Sequence, residues 1–188
     1  MKCFKSFISA IIFLTLSTYI EASSYNSHGQ TGLILLPSAE VHNEQSIYFT
    51  FNRSSYAKLG TITATPFKWM EASYFYYRPD DLLWGKTEGL YLDKGFNVKF
   101  SFDPKSLLLP KFAIGLDDFG GTGQFSREYI ASTYNFNNIK FTTGIGWGKY
   151  VGDSSIDNPL RILNKDFQIR PSESKNSELG GNLSNASW

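Results

Sequence analysis

The sequence predicts an all-β fold, an antiparallel up-and-down meander of about eight strands that forms part of an outer-membrane β-barrel. Three observations predict it. The chain begins with an export signal. Beyond that signal it is rich in aromatic residues and glycine and has no apolar stretch long enough for a spanning helix. Segment after segment alternates apolar and polar residues with period 2.

Lys2 and Lys5 give the chain a positive start, an apolar run extends from Phe7 to Ile20, and Ile20-Glu21-Ala22 precedes a pair of serines. This is the layout of a secretory signal peptide cut after Ala22. The run is broken by Ser9, Thr15 and Ser17 and is shorter than the about 20 residues that a spanning helix requires. Cys3 is the only cysteine and precedes the apolar run. Cleavage therefore leaves no thiol for a disulfide, a metal site or a nucleophile. A net charge of +1 provides no electrostatic footprint for nucleic acid. The aromatic share of 16% exceeds what one soluble core of this length needs, which leaves aromatic side chains for a second apolar surface.

Strands are expected near 30–36, 46–53, 58–65, 69–77, 95–103, 111–118, 128–136 and 139–147. In 96–103, Phe96, Val98, Phe100 and Phe102 share one face, against Asn97, Lys99, Ser101 and Asp103 on the other. In 139–148, Ile139, Phe141, Thr143, Ile145 and Trp147 oppose Lys140, Thr142, Gly144, Gly146 and Gly148. Such alternation fits a water-soluble sheet with an apolar core and a membrane wall with a polar lumen equally well. The connections favour the wall. Links at 66–68, 104–110 and 137–138 interleave with those at 54–57, 78–94 and 119–127, two of which are clearly longer, and the outer-membrane pattern alternates short turns with long loops. The link at 54–57 is short for that pattern. Lys58, Lys68, Trp69, Tyr74, Tyr76, Tyr77, Trp84 and Trp147 lie near strand ends, where interfacial girdles belong. The expected organisation is a signal peptide at 1–22, an antiparallel barrel segment at 23–150 and an irregular continuation at 151–188. Within that last stretch, residues 171–188 are Ser-, Asn- and Gly-rich with few apolar side chains, and the chain is expected to stop in the middle of a longer protein.

The motifs that resemble catalytic ones fail on spacing. "LDDFGGTGQFSREY" (116–129) has clustered glycines but no lysine after Gly123, so it cannot form a phosphate loop, and a strand rather than a helix follows it. Adjacent strand residues point to opposite faces, so Asp117 and Asp118 are not expected to converge on one atom. Gly120, Gly121 and Gly123 are expected to form a structural turn. Gly144, Gly146 and Gly148 read as a strand face stripped of side chains. Asp80-Asp81 lacks the oxygen array of a calcium loop, His28 and His42 lack zinc-ligand spacing, and no Gly-x-Ser-x-Gly elbow occurs. Asn52-Arg-Ser, Asn182-Leu-Ser and Asn185-Ala-Ser match a glycosylation pattern that carries no meaning in a bacterial outer-membrane protein. No enzyme, cofactor or metal is expected.

Several phrases together resemble the N-terminal part of the YjbH family of bacterial outer-membrane proteins. They are "GQTGLILLPSAEV" (30–41), "WMEASYFYY" (69–77), "DKGFNVKF" (93–100), "FAIGLDDFGGTGQFSREYIASTYNF" (112–136) and "FTTGIGWG" (141–148), with "NPLRIL" (158–163) as a continuation. The resemblance implies a β-barrel in the outer membrane of a Gram-negative bacterium, associated with exopolysaccharide biosynthesis and export, in family members several times longer than this chain. It implies as partners outer-membrane lipid, the exopolysaccharide and other export proteins of that pathway. The chain departs from the lipoprotein label of the family in having no cysteine near the Ala22 cut. Asn97, Lys99, Ser101, Lys140 and Thr142 are then the expected lumen-facing, glycan-facing residues. The competing expectations are a general outer-membrane porin, a soluble periplasmic lipid-binding β-barrel, and a lipid-modifying enzyme for which no catalytic cluster is found.

Overall fold

The computed structural model describes residues 24–80, 91–121, 123, 125–137, 139–148 and 156–167. The signal peptide expected at 1–22 and Trp84 lie outside them. One antiparallel sheet contains β1 (Ser46–Arg53), β2 (Ala57–Phe67), β3 (Met70–Pro79), β4 (Asp93–Phe102), β5 (Lys111–Asp117), β6 (Arg127–Phe136) and β7 (Ile139–Gly148), hydrogen-bonded in sequence order. Two short 3-10 turns follow at Pro159–Ile162 and Lys165–Phe167. The meander is as expected. Its register is continuous, from Thr50↔Thr61 in the first pair to Tyr129↔Gly146 in the last, with one irregularity between Ala64 and Phe67.

The strand expected at 30–36 is a correction, so among the described residues the sheet has seven strands rather than the eight expected. Thr31 and Gly32 make only isolated bridges, to Tyr25 and Pro37. The reason lies in the pattern. Leu33-Ile34-Leu35-Leu36 is a continuous apolar run with no alternation, and Pro37 lacks the N–H a central strand needs. The run forms an exposed tip closed by a bond from Leu33 N to the Leu36 carbonyl (2.8 Å).

Period 2 sorts the side chains onto two faces of opposite character. On the outer face stand Phe49 and Phe51 of β1, Ile62 of β2, Tyr74 and Tyr76 of β3, Phe96 and Phe100 of β4, Ile114 of β5, Ile130 of β6 and Phe141 and Ile145 of β7, all exposed. On the inner face, Thr63, Thr65, Glu71, Asp93 and Lys99 are completely or almost completely buried. Small or flat apolar residues fill the space between them, among them Ala113, Ala131, Phe75 and Tyr129. The usual arrangement of a soluble sheet is reversed: the apolar face is open and the polar face is covered.

The links sort by end. β2 turns into β3 through the two residues 68–69 at one end, where β6 ends and β7 begins and the β4–β5 loop (103–110) lies. At the other end β1 leads into β2 through the short link 54–56, β3 ends and β4 begins, and β5 ends and β6 begins.

Candidate functional site

The inner face is covered by the chain's own residues 24–45, which act as a strap. Its course is set by local chemistry. The Asn26 side-chain oxygen accepts from the N–H groups of His28 (2.9 Å) and Gln30 (3.0 Å), which turns the backbone tightly. Gly29 completes the turn at φ 74°, and a β-carbon there would run into the Thr50 and Thr61 side chains. Only glycine, having no β-carbon, fits that backbone and that approach together.

From this turn the strap bonds to side chains of every strand. Asn52 of β1 donates to the Ser27 carbonyl (2.9 Å), and Thr63 of β2 donates to the Gly29 carbonyl (2.8 Å). Glu71 of β3 accepts from the Thr31 N–H (2.9 Å) and from the Thr31 hydroxyl, while Lys99 of β4 donates to the Thr31 carbonyl (2.8 Å). Gln30 Nε2 donates to Asp117 Oδ1 of β5 (2.8 Å). Further along, Thr133 Oγ1 of β6 accepts from Ala39 N (2.9 Å), Ser101 Oγ donates to the Ala39 carbonyl (2.5 Å), and Lys140 of β7 binds the Glu40 carboxylate (3.0 Å). Irregular backbone can lie buried only when its polar groups are satisfied, and here side chains replace a strand partner.

Thr31 sits on the central charge pair. Lys99 Nζ and Glu71 Oε1 are 3.1 Å apart, and both side chains are fully buried. Glu71 Oε2 also accepts from the Tyr48 hydroxyl (2.9 Å). Such a pair is tolerable only with its remaining hydrogen-bonding capacity used, and the strap uses it. Asp117 pairs similarly with Arg127, both nearly buried.

The five expected lumen residues therefore have different surroundings. Asn97 is buried and accepts from Asp118 N (2.9 Å), Lys99 is sealed beneath Thr31, and Ser101 holds Ala39. Lys140 is half exposed beside Glu40. Thr142 bonds Thr133 (3.1 Å) and lines a cavity with Leu36, Pro37, Gly144, Gly146 and Trp147. Sequence reasoning missed Glu71 and the strap. Glu71 had a signal, being a carboxylate in a strand on the same parity as inward residues, but its pairing with Lys99 depends on register.

The three turn glycines are unequal. Gly121 lies against the β4 backbone, where a β-carbon would meet the Lys94 carbonyl, Asp118 Oδ1 and Gly95 Cα. Gly123 has φ 69°. Gly120 has only an ordinary approach to Phe96. Asp117 and Asp118 do not diverge as strand geometry predicts. β5 ends at Asp117, Asp118 takes φ 53°, and both line one small cavity with His28, Asn97 and Phe125. Burial, then the Asp93 carboxylate, pushes Asp118 up to about 8, although the N–H groups of Phe125 and Gly123 favour its ionised form. Burial, then the Arg127 guanidinium, lowers His28 to about 4, with Asp117 opposing.

Trp147 also departs from expectation. It has outer-face parity yet is buried rather than forming part of an exposed girdle. Its indole N–H donates to the Ile156 carbonyl (3.0 Å), and Asn158, in the same following segment, donates to Glu128 Oε2 (2.9 Å). Residues 156–158 thus cover the outer face at the loop end of β6 and β7.

A family model described as "Exopolysaccharide biosynthesis protein YbjH" matches residues 24–188. The chain is 28% identical over 158 residues to the "Uncharacterized lipoprotein YjbH" of Escherichia coli (strain K12), over 81% of this chain and 22% of that protein. It thus spans less than a quarter of the length of that relative. No solved structure matches. Because the family match takes in the strap and all seven strands, the chain belongs to the YjbH family of exopolysaccharide biosynthesis proteins.

Proposed function

We propose that this chain is a wall segment of an outer-membrane β-barrel that serves exopolysaccharide biosynthesis and export without catalysing a reaction. The observation that carries this reading is the reversal of the sheet. Phe49 and Phe51 are 75% and 72% exposed on the outer face, while the charged inner face is closed by the strap. Hydrocarbon is the solvent that suits such an outer face. Strand length supports it, since β2 has 11 residues and β3, β4, β6 and β7 have 10, within the about 9–11 of a spanning strand. The proposed domain plan keeps residues 1–22 as a signal peptide and 23–150 as wall, with 151–188 continuing it.

In this reading the polar side of β4 and β7 faces the lumen. Asn97, Lys99 and Ser101 hold the β5–β6 loop and the strap, and Lys140 and Thr142 are the proposed glycan contacts beside the strap's edge. Lipid surrounds the outer face, and the exopolysaccharide and other export proteins of the pathway are the partners. A general porin needs an unobstructed lumen, which the strap argues against. A soluble lipid-binding barrel needs its apolar face turned inward.

The test is fractionation of the full-length protein with heat-modifiable gel mobility. Outer-membrane recovery and a mobility shift on heating are expected, and recovery as a detergent-free soluble protein defeats the reading. Loss of polysaccharide export on Lys140→Glu with Thr142→Trp, at unchanged membrane yield, is the expected result for the glycan contacts. Unchanged export removes them.

A further inference from the structure

At the short-turn end, the β4–β5 loop carries Leu107, Leu108 and Leu109 between Pro104 and Pro110. They are 93%, 85% and 55% exposed, an unusual cost for three consecutive leucines in water. Their placement is directional. The Tyr134 hydroxyl donates to the Leu107 carbonyl (3.0 Å), and Tyr134 has the outward parity of Ile130 and Phe136. The charged residues at this loop gather on Asp103, just past the end of β4, and one of them, Lys111 of β5, has the inward parity of Ala113 and Gly115. Lys105 lies 2.9 Å and Lys111 3.7 Å from the Asp103 carboxylate. Those lysines, the Asp103 carboxylate's main stabilisers, hold it below the usual carboxylate range. The same end of the outer face carries a stack of Phe67 on Trp69 (5.1 Å) and Trp69 on Phe100 (6.1 Å), with Phe102 and Phe136 exposed nearby in sequence on their strands.

We propose that the β4–β5 loop is a membrane-surface foot, in which Leu107, Leu108 and Leu109 enter the boundary between headgroups and acyl chains of the leaflet at the short-turn end. The occupant is a lipid surface because the leucines continue an outward apolar face edged by aromatic rings, whereas the charges gather on Asp103 with Lys111, which has inward parity. The foot holds the wall at a fixed depth, since sinking would bury the charged cluster and rising would wet the leucines. This rests on the wall reading of the sheet.

The experiment uses the full chain with Cys3→Ser, reconstituted in vesicles of phosphatidylethanolamine and phosphatidylglycerol. An environment-sensitive fluorophore is attached in turn to Leu108→Cys, Lys105→Cys and Phe96→Cys. Expected are blue-shifted emission at position 108 quenched most by shallow nitroxide lipids, emission at position 96 quenched most by deep ones, and water-like emission at position 105. A lipid-quenched position 96 with a water-exposed position 108 overturns the foot and leaves the wall standing. Absence of lipid quenching at both overturns the wall, and the foot with it. A blue shift at position 108 without lipid quenching assigns the leucines to protein and overturns the foot. Equal quenching at positions 105 and 108 overturns the orientation on which it depends.

Discussion

The outer and inner faces of this sheet are built from the same seven strands and solve opposite problems. Outer residues such as Phe49, Ile114 and Ile130 make few demands of direction, because apolar contact is non-directional and any hydrocarbon satisfies it. Inner residues such as Glu71, Lys99 and Asp117 need partners at fixed positions, and the strap and neighbouring strands supply them. The difference teaches that a period-2 pattern names the two faces without naming the solvent of either. Damage should follow the same division: inner substitutions act through unsatisfied bonds, outer ones through the surrounding phase.

The largest effect is expected at the central pair. Lys99→Met leaves the buried Glu71 without its cation and should destabilise the protein by about 3–5 kcal/mol. Adding Glu71→Leu should recover part of that loss, measured by urea unfolding from lipid vesicles. Equal or greater instability in the double variant would show that the charges are not coupled.

Next comes the other face. Phe49→Arg in the middle of β1 should cost about 2–4 kcal/mol in a bilayer. Its effect in mild detergent should be smaller, and the same penalty in both media would deny that this face meets lipid. Gly29→Ala should cost roughly 1–3 kcal/mol because it adds strain at positive φ and a clash with Thr50 and Thr61. It should also increase protease cleavage within the strap, and an unchanged cleavage pattern would mean that the turn does not hold it.

The smallest effects are those of pH, and they have opposite signs. Folding raises Asp118 from 3.8 to about 8, so its contribution is complete below pH 3.8 and is lost as pH rises through about 8. Folding lowers His28 from 6.5 to about 4, so its contribution is present above pH 6.5 and is lost as pH falls through about 4. Asp118→Asn should therefore flatten the alkaline decline in stability, and His28→Gln the acid one. Unfolding midpoints measured across pH 4 to 8 check both, and parallel curves for both variants and the parent would refute the assignment.

Much of the sheet was legible because β4 and β7 write their two faces in strict alternation and short links force antiparallel neighbours. The strap was not legible. Its backbone is satisfied by distant side chains, such as Thr63, Thr133 and Ser101, rather than by a periodic neighbour, so the strand expected at 30–36 does not form. The aspartates misled for a related reason. The two-face rule stops where the strand stops, and the positive φ of Asp118 turns its side chain back into the cavity that Asp117 already lines.

By itself the sequence determined the all-β class, the meander, and which residues share a face. These depend on local terms: side-chain alternation, turn chemistry and link length act between residues close along the chain. Only the tertiary structure decided that Lys99 meets Glu71, that residues 24–45 close the polar face, and that Trp147 is buried while Phe49 is open. Those outcomes depend on strand register and on contacts between residues far apart in sequence, which no local pattern encodes.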